Sequence, residues 1–344
     1  MMLVVALAVA LWVLGWALGT PKRIRWGAIA VLWAAAIVVN LALPEGHPLR
    51  AMTGGDARVW VAVALGFCAI LGYRALLKAL KSRVELAVPV AVPGAFSSAE
   101  VERYARHILL REIGGPGQRK LKDAKVLVVG AGGLGSPVLL YLAAAGVGEI
   151  GVIDDDTVDP SNLQRQVIHT DQHIGMDKVR SAEIAMRALN PYIVVKPYKR
   201  RLDMASGGLI AGYDLVLDGS DNFDTRYLVN RLCVAAGKPL VAAAITQWEG
   251  QLSVFDPTTG SPCYECVFPV RPAPGMVPTC AEAGVAAPLP GVIGSMMAME
   301  AVKLITGAGE VLRGRLLIHD ALYGETRVIG VKPRADCAVC GVRH

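Results

Sequence analysis

The sequence predicts an α/β domain built on a doubly wound sheet and closed by a four-cysteine knuckle, with three membrane-spanning helices ahead of it. Three observations predict it. Lys125–Asp154 runs through an apolar strand, a glycine-rich turn, a helix and a second strand with an acid at its end. The first 95 residues hold three long apolar runs, and residues 96–344 contain two well-separated C-x-x-C pairs.

The amino-terminal elements come first. Met1–Pro21, Trp26–Pro44 and Val59–Tyr73 carry no charged residue over 21, 19 and 15 positions. The first two match a bilayer core of roughly 30 Å, and snorkelling Arg74 and Lys78 extend the third through Leu77. The expected spans are therefore about 3–21, 26–43 and 59–77, within an anchor of residues 1–85. A buried helical hairpin is the alternative. No basic leader or small-residue cleavage site marks Met1–Thr20 as a removable signal. Up to Ala95 the chain has 9 Lys and Arg against 3 acids, whereas residues 96–344 carry 26 of each, so the net charge of +6 belongs to the apolar part. The soluble part lacks the basic excess a nucleic-acid binder needs. Lys22, Arg23 and Arg25 lie between the first two runs, and Arg74, Lys78, Lys81 and Arg83 follow the third. With both clusters cytoplasmic, three spans put the remainder of the chain in the cytoplasm of an inner-membrane protein; a third segment lying on the surface would reverse that.

Residues 86–97, proline- and valine-rich from Val88 to Pro93, read as a linker. Ser97 and Glu100 form a capping box for a helix burying Val101, Tyr104, Ile108 and Leu109 and presenting Arg103, Arg106 and Arg111. Lys125–Val129 then reads as a buried strand. Gly130, Gly132, Gly133 and Gly135 give the Rossmann-like turn that lets backbone approach phosphate, and Asp154 stands where a ribose hydroxyl is bound. A dehydrogenase is the ordinary reading of that turn. The polar loop Ser161, Asn162, Gln164, Arg165 and Gln166, with Lys178 opening a helix and Asp221 and Asn222 after the strand Leu215–Asp218, argues for a triphosphate with magnesium. Ser136 where a Walker A loop has lysine excludes that loop. Asp221 has a plainer role open to it, as cap of the helix starting near Asn222. His107, His169 and His173 show no metal or catalytic spacing.

Cys263, Cys266, Cys337 and Cys340 supply four thiolates for a closed structural zinc site; redox chemistry at one pair is the alternative. Cys68 and Cys233 read as packing residues.

These residues resemble the MoeB and ThiF family of ubiquitin-activating-enzyme-like adenylyltransferases. The resemblance runs from about Ser98 to Cys340 through RYARHILL at 103–110, GAGGLGS at 130–136, SNLQRQ at 161–166, IGMDKV at 174–179, DGSDN at 218–222, CYEC at 263–266, TCAEAGV at 279–285 and GVIGSMMAMEAVKLI at 291–305. It implies ATP-dependent adenylylation of the carboxy-terminal Gly-Gly of a small sulfur-carrier protein of the molybdopterin or thiamine type. With no sulfurtransferase domain read after Cys340, the sulfur is expected from a separate protein. The resemblance also implies that Asp221 holds magnesium, that Arg165 and Lys178 stabilise the triphosphate oriented by Asn162, and that Arg106 reaches the partner's nucleotide in a homodimer. Cys280 matches a cysteine that bonds covalently to the carrier in thiamine-pathway relatives and lacks that duty in others. A tRNA-modifying dehydratase of the same superfamily and a non-catalytic scaffold for a ubiquitin-like protein remain as rivals.

Overall fold

The computed structural model describes residues 2–85, 96–273, 276 and 280–341 and divides into two compact units, 1–90 and 91–344. The predicted linker falls almost wholly outside the described residues.

The amino-terminal unit is helical: α1 (Met2–Ala17), α2 (Lys22–Ala42), α3 (Pro48–Thr53) and α4 (Ala57–Glu85). A small core of Val4, Ala36 and Trp60, with Leu32, Trp33 and Ile37 around it, joins them. Most other apolar side chains face outward, among them Val38, Leu41, Leu65 and Ile70. The helices differ in length from the expected spans. At 16 residues α1 reaches only about 24 Å, because Leu18–Thr20 turns away, whereas the 29-residue α4 runs about 43 Å. Cys68 lies exposed on α4, so it is not the packing residue its composition suggests.

In the second unit the capping box forms as expected: Ser97 Oγ accepts from the Glu100 N–H and Glu100 accepts from the Ser97 N–H. It opens α5 (Ser98–Ile108), whose inward residues are Tyr104 and Glu100; Val101 and Leu109 face out. Glu100 is buried because Lys122, on α6 (Gly114–Asp123), binds it at 2.7 Å.

An eight-stranded sheet follows, in order β3-β2-β1-β4-β5-β6-β7-β8. The strands β1 (Lys125–Val129), β2 (Glu149–Ile153), β3 (Val194–Tyr198), β4 (Leu215–Asp218) and β5 (Leu240–Thr246) are parallel, and β6 (Glu249–Phe255), β7 (Arg315–Asp320) and β8 (Glu325–Gly330) continue antiparallel. The parallel strands read as continuous apolar runs because both faces are covered. Val126 and Val128 point into one core with α7 (Gly135–Ala145), α8 (Lys178–Leu189) and the long α13 (Leu289–Thr306); Leu127 and Val129 point into the other, with α9 (Gly207–Ala211) and α10 (Phe223–Ala236). Gly151 leaves room for Tyr213, since a Cβ there would stand 2.3 Å from the phenol oxygen. Two short helices, α11 (Tyr264–Val267) and α12 (Cys280–Ala283), precede α13. Strand order reverses between β1 and β4, which opens a crevice at their carboxyl ends, the usual ligand position in such sheets.

Candidate nucleotide site and cysteine cluster

That crevice is a cleft of about 670 Å³. Gly130, Gly132, Gly133, Asp154, Arg165, Lys178, Asp221 and Asn222 all line it, although they span 93 positions of sequence from first to last. The glycines divide by duty. Gly130 has φ +92°, and a Cβ on Gly135 would lie 2.0 Å from the Gly130 carbonyl oxygen, so these two make the turn possible. Gly135 packs inward and does not line the cleft; Gly132 and Gly133 present backbone to it.

Asp154 receives the Ala131 N–H at 2.8 Å and the Asp156 N–H at 2.9 Å. Burial pushes its carboxyl up, against those hydrogen bonds and the charge of Lys178. Lys178, buried at the start of α8, binds the exposed Asp156 at 2.8 Å. Arg165 donates to Asn162 Oδ1 at 2.8 Å, which places Asn162 behind the arginine and off the cleft wall. Ser161 is also off the wall, hydrogen-bonded to Asp159 in the cap of a short turn. Asn222 caps α10 by accepting the Thr225 N–H, and the Asp221 carboxylate enters no hydrogen bond or ion pair among the described residues. A carboxylate left open in a polar cleft has the chemistry of a magnesium ligand. Arg106 is exposed and lines no part of this cleft. Cys280 begins α12, and its side chain lies outside the described residues.

Several site residues escaped sequence reasoning. Arg226 is buried and donates at 2.5 Å to the carbonyls of Ala243 and Ser220, clamping the loop that carries Asp221. Beneath it Asp218 is buried; burial pushes its carboxyl up, against the pull of Arg226. Asp155 and Asp156 join Asp154 within 4.8 Å, but Arg201 and Lys178 already neutralise them. His169, assigned no role by spacing, is buried against the glycine turn. A D-x-x-D-N-x-x-x-R spacing was the available signal for Asp218 and Arg226; their burial was not readable from it.

The four predicted cysteines converge far from the chain positions that separate them. Their sulfurs lie within 4.8 Å of one another, with Cys263 at 3.8 Å from Cys266 and 3.6 Å from Cys337, and Cys266 at 3.3 Å from Cys340. A tetrahedron with Zn–S bonds near 2.3 Å has sulfurs about 3.8 Å apart, so the donor set fits zinc. All four are buried, and burial pushes the Cys263 thiol up, which a dication would reverse.

A glycine turn, a basic pair and an open carboxylate around one cleft of a doubly wound sheet define a nucleotide-binding enzyme domain. Residues 104–339 match the ThiF family, and the chain belongs to that family. It is 48% identical to the SAMP-activating enzyme E1 of Haloferax volcanii over 71% of this chain and 90% of that protein. It is 49% identical to the sulfur carrier protein adenylyltransferase of Thermus thermophilus over 72% and 93%. Among solved structures, E. coli MccB with ATP superposes with a TM-score of 0.61 at 25% identity, over 70% of this chain and 74% of MccB.

Proposed function

We propose that this chain is an adenylyltransferase that activates the carboxy-terminal Gly-Gly of a ubiquitin-like sulfur carrier at the cytoplasmic face of a membrane. One observation carries the reading: Arg165, Lys178 and Asp221 line the same cleft as the glycine turn in a chain about half identical to a sulfur carrier protein adenylyltransferase over nearly all of that relative's length.

The carrier's ionised carboxylate oxygen attacks the α-phosphorus of ATP. A new P–O bond forms as the bond to the β-phosphate oxygen breaks, pyrophosphate leaves with that electron pair, and no proton need move. Negative charge accumulates at one point, so the site must supply cations already in place. Lys178, at the amino end of α8, exchanges Asp156 for phosphate oxygens and adds the helix dipole. Arg165, steadied by Asn162, holds a second set, Asp154 receives the ribose, and Asn222 keeps the Asp221 loop in register. Magnesium held by Asp221 would offset the charge of the triphosphate. Arg106 would complete the neighbouring site in a homodimer. Zinc held by the four cysteines would staple the chain's end to α10, where Val234 packs against them.

The outward apolar faces of α2 and α4 support a lipid-embedded anchor, with residues 1–85 in the membrane and 98–344 as the enzyme. A thinned bilayer or snorkelling ends would accommodate the short α1 as the third span. The experiment is ATP–pyrophosphate exchange with magnesium and candidate carriers, intact or lacking Gly-Gly. Tail-dependent exchange is expected; ATP binding without exchange for any carrier would favour the dehydratase or scaffold.

A further inference from the structure

His169 sits at a junction that the chemistry above does not use. Its Nε2 lies 2.9 Å from the Ala131 carbonyl oxygen and its Nδ1 2.8 Å from Ser181 Oγ, which is itself 2.9 Å from His173 Nδ1. A carbonyl only accepts, so Nε2 carries the proton and Nδ1 accepts the Ser181 hydroxyl. His173 Nδ1–H then donates to the Ser181 oxygen, and every partner in the chain is satisfied. Burial holds the His169 ring below its ordinary titration range and keeps this neutral form.

The consequence lies in the peptide that joins Ala131 to Gly132. Its N–H is anti to its C=O, since no described peptide bond is cis. The carbonyl is turned inward to His169, and Ala131 is fully buried. The Gly132 N–H therefore points the opposite way, from a residue that lines the cleft. No described residue accepts it. On the other side of Ala131, Asp154 holds the preceding N–H. The two side chains fix consecutive peptide planes of the turn.

We propose that His169 is a positioning residue that aims the Gly132 N–H at the nucleotide phosphates, an inference that rests on the adenylyltransferase reading and deepens it. Without this hydrogen bond the peptide plane is free to rotate, and the phosphate loses a donor that needs no reorganisation on binding.

The test measures ATP and adenosine affinity of the full chain in lipid nanodiscs. His169→Gln keeps a donor at the reach of Nε2 and should hold ATP within about threefold of wild type. His169→Asn falls short of Ala131 and should weaken ATP about tenfold, the weight of one charge-assisted hydrogen bond. Adenosine, which has no phosphate, should bind both variants as it binds wild type. Equal ATP affinity for the Asn and Gln variants, or a parallel loss of adenosine, overturns the proposal. Should the Asn variant not fold, His169→Met decides: it fills much of the ring's space but offers Ala131 no donor, and ATP affinity equal to that of the Gln variant would overturn the proposal equally. Wild-type protein that binds no ATP would instead sink the adenylyltransferase reading beneath it.

Discussion

Helices α2 and α13 are both long and apolar enough to cross a membrane, yet Ala36 and Asn40 are the buried residues of α2, whereas half of α13 is buried inside the molecule. The difference lies in what surrounds them. Ile293 and Met297 on α13 are fully buried, in the core shared with α7 and the sheet, and Gly294 lets the helix approach Leu134, whose carbonyl oxygen would be 2.6 Å from a Cβ there. α13 also buries Glu300, held by Lys303 and by the Leu312 N–H. By contrast α2 turns Val31, Val38 and Leu41 outward. Length and hydropathy select both helices; α13 meets protein over much of its apolar surface, whereas α2 leaves most of its own outside the small core around Ala36.

If the α/β unit carries both the chemistry and the packed core, damage there should be severe and damage in the amino-terminal unit mild. The largest effect should come from Cys263→Ser, which removes one of four converging sulfurs. It should release zinc and cost several kcal/mol or folding itself, read by metal analysis and thermal unfolding. Next is Asp221→Ala, expected to cut exchange at least about hundredfold with an unchanged melting temperature, because its side chain packs against no core. A smaller contrast sharpens the helix comparison directly: Ile293→Ala in α13 should cost about 2–5 kcal/mol, while Val38→Ala in α2 should stay within about 0.5 kcal/mol in lipid, both measured by denaturant unfolding in nanodiscs.

The smallest effect concerns pH. His169 titrates lower in the folded chain than in the unfolded one, with burial the main cause and the nearby Lys178 and His173 adding to it, against the Ala131 hydrogen bond. Above its ordinary value near 6.5 both states are neutral and stability is unaffected. Below it the unfolded chain takes up the proton first, so stability falls as pH drops, by about 1.4 kcal/mol per pH unit at most. Thermal unfolding between pH 7.5 and 5.5 should therefore fall less steeply for His169→Gln than for wild type.

Much of this was legible in the sequence because the relevant signals are local. The strand Lys125–Val129, the glycine turn, the capping box at Ser97 and the two cysteine pairs each depend on residues within a few positions, and each appears where expected. What was not legible depends on distant partners. Tyr104 and Glu100 form the inner face of α5 because Lys122 and Asn190 await them, not because of helical spacing. Asn162 stands behind Arg165, Arg226 clamps the Asp221 loop through two carbonyls, and His169 reads as an ordinary polar residue until Ala131 is brought against it. The ends of α1 and α4 differ from the charge-free runs because a helix continues past charged residues when its backbone bonds are kept, and ends at a glycine turn such as Gly19 even where the run stays apolar.

The most direct test of the central claim is the mass of the carrier itself. The full-length protein in nanodiscs would be incubated with ATP, magnesium and a Gly-Gly carrier, and the carrier examined by intact-protein mass spectrometry. The expected result is a gain of one adenylyl group on the carrier's terminal carboxylate, absent without Gly-Gly and absent with Asp221→Ala. Turnover of ATP that leaves every carrier unmodified, including when the intermediate is trapped by rapid acid quench, would contradict it.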